Sequence, residues 1–336
     1  MRTARCGRHE LVSAALAGCE DGELAARLGA ASIRAVGVGG GASVLDVDGT
    51  PVFVKQMPIT ERELAHPYST ANLFDLPVFC QYGMYRLATP GFGVWRELAA
   101  NRMVTEAVLG GEAESFPLLH HWRVLPGRPP VAAEHQDVDA VVAQFGGDST
   151  VRTRLEESAV AGSSLVLFLE YVACSLLDRL NDPVSQAEGV ERQLFEIVSC
   201  LQTRAVLHMD GHVGNLRSDG DRIYLVDVGL ATSPSFELSS SERDFAAHHA
   251  GHDGDYAAMQ LVNWLVTTVC GVPTPTHGGP IDRNAYVARC ASGDIPRDVP
   301  AAVASILLRH APAAARMNDF HWRLYDGDLR ASYPCG

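Results

Sequence analysis

Residues 206–231 read VLHMDGHVGNLRSDGDRIYLVDVGLA, and this stretch decides the fold. It sets His208, Asp210 and Asn215 in the spacing H-x-D-x-x-x-x-N, followed by an apolar strand that ends in Asp227-Val228-Gly229. Phosphoryl transfer from a nucleotide needs such a set in one small volume. One carboxylate must orient the attacking hydroxyl and accept its proton, while an amide oxygen and a second carboxylate hold Mg2+ against the phosphates. Turns rich in Asp, Gly and Asn are common. A plain turn does not explain why a strand delivers Asp227 or why both flanks are apolar. Asp210 is therefore read as the base, Asn215 and Asp227 as metal ligands, and His208 as a brace of the loop. His212 is either a substrate-side or a structural histidine.

Toward the N-terminus the same chemistry asks for a phosphate cradle and a cation. Residues 33–56 predict a hairpin, with Asp48-Gly49 as its turn and Val52-Phe53-Val54-Lys55 as the return strand. Gly37, Gly39, Gly40 and Gly41 precede it, and glycines let backbone N–H groups approach phosphates. A flexible turn would read alike, but a hairpin bearing Lys55 follows. Alternation puts Phe53 and Lys55 on one face and Val52 and Val54 on the other. A lysine ending an apolar strand is costly unless it meets an anion. A carboxylate to fix Lys55 is expected at Glu97, in the helical pattern of residues 93–109, with Glu63 and Glu106 as competitors.

Composition bounds the rest. The chain has 336 residues, 47% apolar and 20% charged, enough for one large domain or two lobes. Lys and Arg number 27 against 40 Asp and Glu, a net charge of −13, which argues against nucleic acid or an anionic membrane as partner. None of the 8 cysteines forms a C-x-x-C pair, so they read as reduced thiols of a cytoplasmic protein rather than a zinc site. The segment Leu16-Ala17-Gly18-Cys19 looks like a lipoprotein cleavage box. Its apolar run is short and Glu10 interrupts the entry, so residues 9–29 are read as amphipathic helix.

Residues 57–91 predict an irregular insert and 121–125 a strand. Residues 131–160 read as a polar excursion, 164–172 as a buried strand, 190–206 and 256–269 as helices, and the remainder as short helices broken by Pro and Gly. Asp255 is a helix cap or an internal carboxylate bonding the loop at Asp210. His248, His249, His252 and Asp253 invite a metal but lack a second ligand cluster.

The order glycine run, Lys55, Glu97, strand 164–172, HMDGHVGN and DVG resembles the protein-kinase-like fold over about residues 30–270. The resemblance implies an α+β, two-lobed molecule: a β-rich N-lobe within residues 1–172, a helical C-lobe within 173–336, and ATP·Mg2+ in the cleft. It makes Asp210, Lys55 and Glu97 the catalytic set. It gives the glycines, Lys55 and the backbone of Glu170 and Val172 to the nucleotide, and Asn215 and Asp227 to Mg2+. It makes Asp255 the structural aspartate. Ala42 stands in the third glycine place, Phe53 where a small residue roofs adenine, and no A-P-E follows DVG. His212, in the place of a lysine, is similar to the aminoglycoside phosphotransferase branch.

Residues 69–83, 91–109 and 116–127 resemble stand-alone peptide kinases of thioamitide and class V lanthipeptide biosynthesis. That likeness implies phosphorylation of Ser or Thr in a ribosomal precursor peptide, with a partner lyase eliminating the phosphate. A small-molecule phosphotransferase and a pseudokinase binding module are the alternatives.

Overall fold

Two amphipathic helices, α1 (Arg2–Gly18) and α2 (Asp21–Ala30), open the chain and supply Val12, Leu16 and Leu24 to a common core. Strands β1 (Ala35–Gly37), β2 (Gly40–Val47) and β3 (Thr50–Ile59) follow as an antiparallel meander. A short helix α3 (Glu61–Ala65) leads through the insert to α4 (Val94–Gly110) and β4 (Leu119–Pro126). Next come α5 (Val138–Gln144), α6 (Ser149–Ala159) and β5 (Ser163–Glu170). The five strands form one antiparallel sheet in the order β1-β2-β3-β5-β4. This is a computed structural model, and it describes residues 2–31, 33–83, 87–274 and 279–334.

The period of two decides what each face of that sheet meets. Val52, Val54, Val166 and Phe168 pack under α1 and α2. Phe53, Met57, Ile59 and Leu167 face the opposite way, against Val94, Trp95 and Leu98 of α4. Lys55 shares that second face, as the alternation requires.

The rest of the chain is mostly helical. The short strand β6 (Cys174–Ser175) and helix α7 (Pro183–Thr203) precede the hairpin β7 (Leu216–Ser218) and β8 (Ile223–Leu225). Helices α8 (Ser240–His248), α9 (His252–Thr268), α10 (Ile281–Ala291) and α11 (Ala301–Tyr325) complete it. Leu194 and Ile197 of α7 meet Leu261 and Leu265 of α9 and Ile306 and Leu307 of α11 in its core. The fold is thus mixed α+β, a five-stranded antiparallel sheet with a helical part. No helix among the described residues is long and apolar enough to cross a membrane. The seven described cysteines are free thiols.

Three expectations need correction. Residues 131–160 are not merely a polar excursion: α5 and α6, capped by the side chains of Asp137 and Asp148, bury Val141, Val142, Val151 and Leu155 against Phe74, Leu76 and Cys80 of the insert. Helix α7 starts at Pro183, whose fixed φ suits the first helical turn behind the Asp182 cap. The C-terminal region holds one long helix, α11, that runs through Pro312. The carbonyl left without its donor there belongs to Leu308, which is 56% exposed, so water can serve it.

Candidate functional site

The hairpin β7–β8 brings two of the motif residues together. Leu216 pairs with Leu225, and the Val226 N–H extends the ladder by donating to the Asn215 carbonyl at 2.9 Å. Asn215 just before β7 and Asp227 just after Val226 therefore emerge side by side. Asp227 leaves the strand with φ 61 and Met209 sits at φ 65, both left-handed and unusual for residues with a Cβ. Such strain persists only where surrounding bonds over-determine it.

Those bonds are present. The His208 and Met209 N–H groups donate to Asp253 Oδ2 and Oδ1 at 2.6 and 3.0 Å. Fully buried His208 has Nε2 3.1 Å from the Val226 carbonyl, and its Nδ1 accepts the Asp210 N–H at 3.3 Å. Burial lowers its pKa, in keeping with a neutral ring that donates from one nitrogen and accepts at the other. His208 is a brace. The aspartate holding this loop is Asp253, not Asp255. Helix α9 starts at His252, a turn earlier than its apolar pattern suggested, so Asp253 lies in its first turn facing the loop. Asp255 instead accepts the Tyr333 hydroxyl at 2.8 Å, and the cap of α9 is Gly251. His249 Nε2 lies 2.6 Å from the Tyr82 hydroxyl and His252 Nδ1 3.5 Å from Asp253, so these histidines belong to an aromatic core.

Lys55 is the cation of the site. Its Nζ stands 2.7 Å from Glu97 Oε1 and 2.7 Å from Asp227 Oδ1. Burial opposes its charge, but Asp227 and then Glu97 outweigh burial and raise its pKa. Asp227, 41% exposed at the cavity wall, is still partly desolvated by the surrounding chain, but Lys55 and the Gly229 N–H outweigh that and its pKa is lowered. Glu97 is pushed up to about 7 by burial, with Lys55 opposing. The competitors are elsewhere. Glu106 is exposed, whereas Glu63 is buried and accepts the Val94 N–H at 2.9 Å and the Arg154 guanidinium at 3.0 Å.

Asp210 is pushed up to about 7, first by burial and then by the Asp227 charge, while Asn215 opposes. Asn215 Nδ2 donates to Asp210 Oδ2 at 3.1 Å and to its carbonyl at 2.9 Å. His212 has Nε2 3.7 Å from Asp210 Oδ2, and its Nδ1 accepts the Gly214 N–H at 3.0 Å.

The glycine turn lies over this cluster. A Cβ on Gly39 would come 3.1 Å from Lys55 Nζ and 3.6 Å from Asp227 Oδ2. Gly40 takes φ 116 against the Gln56 carbonyl, a geometry that needs glycine. Gly41 abuts Pro129, and a Cβ on Gly37 would meet open space. From the other side Gly83 of the insert touches Asp210 so closely that a Cβ would overlap its carboxylate, and the Gly83 N–H reaches the Met209 carbonyl at 3.4 Å.

A cavity of about 950 Å³ joins Gly37, Gly39, Gly40, Glu97, Asp210 and Asp227. Gly41, Lys55, Asn215, Glu170 and Val172 are not among the residues that line it, although Lys55 and Asn215 bond directly to lining carboxylates. The Glu170 N–H donates to the Leu118 carbonyl, its side chain pairs with Arg5 at 2.5 Å, and the Val172 carbonyl accepts from Arg217 at 3.2 Å.

No family model matches the chain, and no curated protein does.

The sequence reading missed Gly83, offered Glu63 as a partner for Lys55 rather than a support of α4, and offered Asp253 to a metal rather than to the loop. Each acts across a long separation: Asp253 on the loop at 208–210, Gly83 on Asp210, Glu63 on the start of α4. The one local signal was the capping box of Thr60 and Glu63, which predicts a helix start but not the bond to Val94.

Proposed function

We propose that the chain is an ATP-dependent phosphotransferase of two-lobed, protein-kinase-like architecture, acting in the cytoplasm on Ser or Thr hydroxyls of a ribosomally made precursor peptide. The observation that carries the reading is Lys55, held 2.7 Å from both Glu97 and Asp227, beside the Asp210–Asn215 pair. A structural ion pair would need one carboxylate. Two carboxylates around one buried lysine, with a third of raised pKa nearby, suit a site that receives a polyanion and moves a proton.

The residues also fit Mg2+. Asp227 spends Oδ1 on Lys55 and the Gly229 N–H, yet its side chain is 41% exposed, which leaves Oδ2 toward the cavity. Asn215 uses its amide nitrogen on Asp210 and keeps its oxygen, and hard oxygen donors suit Mg2+ alongside phosphates. Asn215 and Asp227 would hold the ion, which would offset phosphate charge.

The remaining work falls to the chain. Lys55 would bind phosphate oxygens, and Glu97 would keep it in place. Asp210 would orient the acceptor hydroxyl and take its proton as the new O–P bond forms and the bond to ADP breaks. A partner lyase would then eliminate the phosphate to give a dehydroamino acid.

A polycationic acceptor such as an aminoglycoside is disfavoured by the cavity wall. Its described carboxylates are Glu97, Asp210 and Asp227, all in the phosphate-side cluster. The test is intact-mass analysis with Mg·ATP, a Ser/Thr-rich candidate precursor peptide and an aminoglycoside panel. The expected result is peptide gaining ~80 Da per phosphate, lost in Asp210→Asn. Phosphate on an aminoglycoside alone would transfer the protein to the small-molecule branch. Phosphate on neither would favour the binding-module reading.

A further inference from the structure

The cavity extends well beyond Asp210. Helix α9 forms one wall, with Tyr256 near Asp210 and Thr268 about three turns further on, ~18 Å along the axis. Trp264 and Trp322 line the stretch between, and no carboxylate does among the described residues.

Three residues of α10 and α11 that line the same cavity each have a buried polar atom without a hydrogen-bond partner: His321 Nε2, Asn284 Oδ1 and Arg283 Nε. His321 stacks on Tyr256 at 4.8 Å, so it belongs to the Asp210 end. Arg283 and Asn284 lie in the first turn of α10, where Arg283 Nη1 donates to Thr274 Oγ1, beyond the end of α9, at 3.3 Å. Arg283 forms no ion pair with a described residue; burial lowers its pKa and no carboxylate counters it. A half-buried guanidinium without a counter-charge is costly, and a bound carboxylate matches its planar fork.

We infer that the acceptor lies extended along α9 and carries a carboxylate at a fixed spacing from the phosphorylated hydroxyl, bound by Arg283 while Asn284 Oδ1 accepts a backbone N–H. The carboxylate is an Asp or Glu side chain or the C-terminus of the acceptor. This inference rests on the phosphotransferase reading for the hydroxyl end alone.

The probe is a set of fluorescein-labelled peptides with a central Ser in a Tyr/Ala background. A Glu is walked outward residue by residue in both directions, with a Gln counterpart at each position and free-acid and amide C-termini. Binding is read by anisotropy without nucleotide, and phosphate gain by mass. Glu is expected to bind about tenfold or more tighter than Gln at one distance only, on one side of Ser. In Arg283→Gln the ratio falls to about one, and in Arg283→Lys, which keeps charge but not the fork, it falls part-way. A free acid that beats the amide at that distance assigns the carboxylate to the C-terminus. Near-UV circular dichroism checks both variants, and Arg283→Lys carries the test if Arg283→Gln does not fold.

Equal binding of Glu and Gln at every position overturns the inference, as does a preference that survives in Arg283→Gln. A carboxylate preference without phosphate gain sinks the phosphotransferase reading and leaves the subsite standing. Phosphate gain without preference does the reverse.

Discussion

Asp210 and Asp227 are two carboxylates in one small volume that their surroundings drive apart. Lys55 and the Gly229 N–H hold Asp227 ionised against burial, whereas burial and the Asp227 charge push Asp210 up to about 7. A base near neutrality is efficient, because it is part-ionised and still binds a proton well. Glu97 is also pushed up to about 7, so acid takes the charge from both groups. On the proposed phosphotransferase reading, kcat/KM should therefore fall as pH drops through about 7. Stability follows with the opposite sign. An unfolded aspartate titrates near ~4, so between about 4 and 7 the folded state binds more protons and loses stability as pH rises. Asp210→Asn should stabilise the protein by about 1–2 kcal/mol at pH ~8 and not at pH ~4. Melting temperatures of both proteins across that range check this, and an Asn protein less stable at pH ~8 would contradict a strained carboxylate. Asp210, Asn215 and Asp227 were legible in the sequence because they lie in one continuous stretch. The aspartate behind the loop was misread as Asp255, since two carboxylates in one helical turn differ only in the direction they face.

At the scale of elements, α4 carries Glu97 to Lys55, and α3 fixes where α4 begins. Glu63 closes a capping box with Thr60, accepts the Val94 N–H, and pairs with the buried Arg154 guanidinium of α6 at 3.0 Å. Removing one partner of a buried ion pair strands the other. Glu63→Ala should cost about 3 kcal/mol in urea unfolding, and a loss below about 1 kcal/mol would mean the pair behaves as a surface one. The insert bears on the Asp210 carboxylate more directly. Gly83→Ala forces the Asp210 carboxylate or the insert backbone to move, so kcat should fall at least about tenfold while nucleotide affinity holds. Unchanged kcat would show that the insert yields freely. Helix α5 was hidden in the sequence because it is only seven residues long, and α6 because it is mostly polar with few positions turned to the insert. Pro312 hid α11, because a proline that leaves its orphaned carbonyl near solvent still reads locally as a breaker.

Across the whole molecule, the sheet and the helical part are tied at several places besides the chain between them. Arg96 of α4 pairs with Glu242 of α8 at 2.6 Å, and Gln81 of the insert donates to the Leu230 carbonyl just after Asp227 and Gly229. From the N-terminus, Arg5 of α1 pairs with Glu170 at the end of β5 and donates to the Glu114 and Phe116 carbonyls. Arg5→Ala should lower stability by about 2 kcal/mol, read in the same unfolding assay, and a neutral result would make α1 a mere cover. None of these ties was legible in the sequence. Each joins side chains far apart in the chain, and no periodicity encodes such a pairing. What periodicity does encode, the two faces of β3, the buried run of β5 and the apolar patterns of α7 and α9, was readable and is where the sheet and the helical core now pack.

The most direct measurement is calorimetric titration of a non-hydrolysable ATP analogue into the wild-type protein, Asp210→Asn and Asp227→Asn, with and without Mg2+. Phosphoryl transfer at this site predicts Mg2+-dependent binding to the wild type, retained in Asp210→Asn and weakened at least about tenfold in Asp227→Asn. No Mg2+-dependent binding, or equal binding to all three proteins, would contradict it.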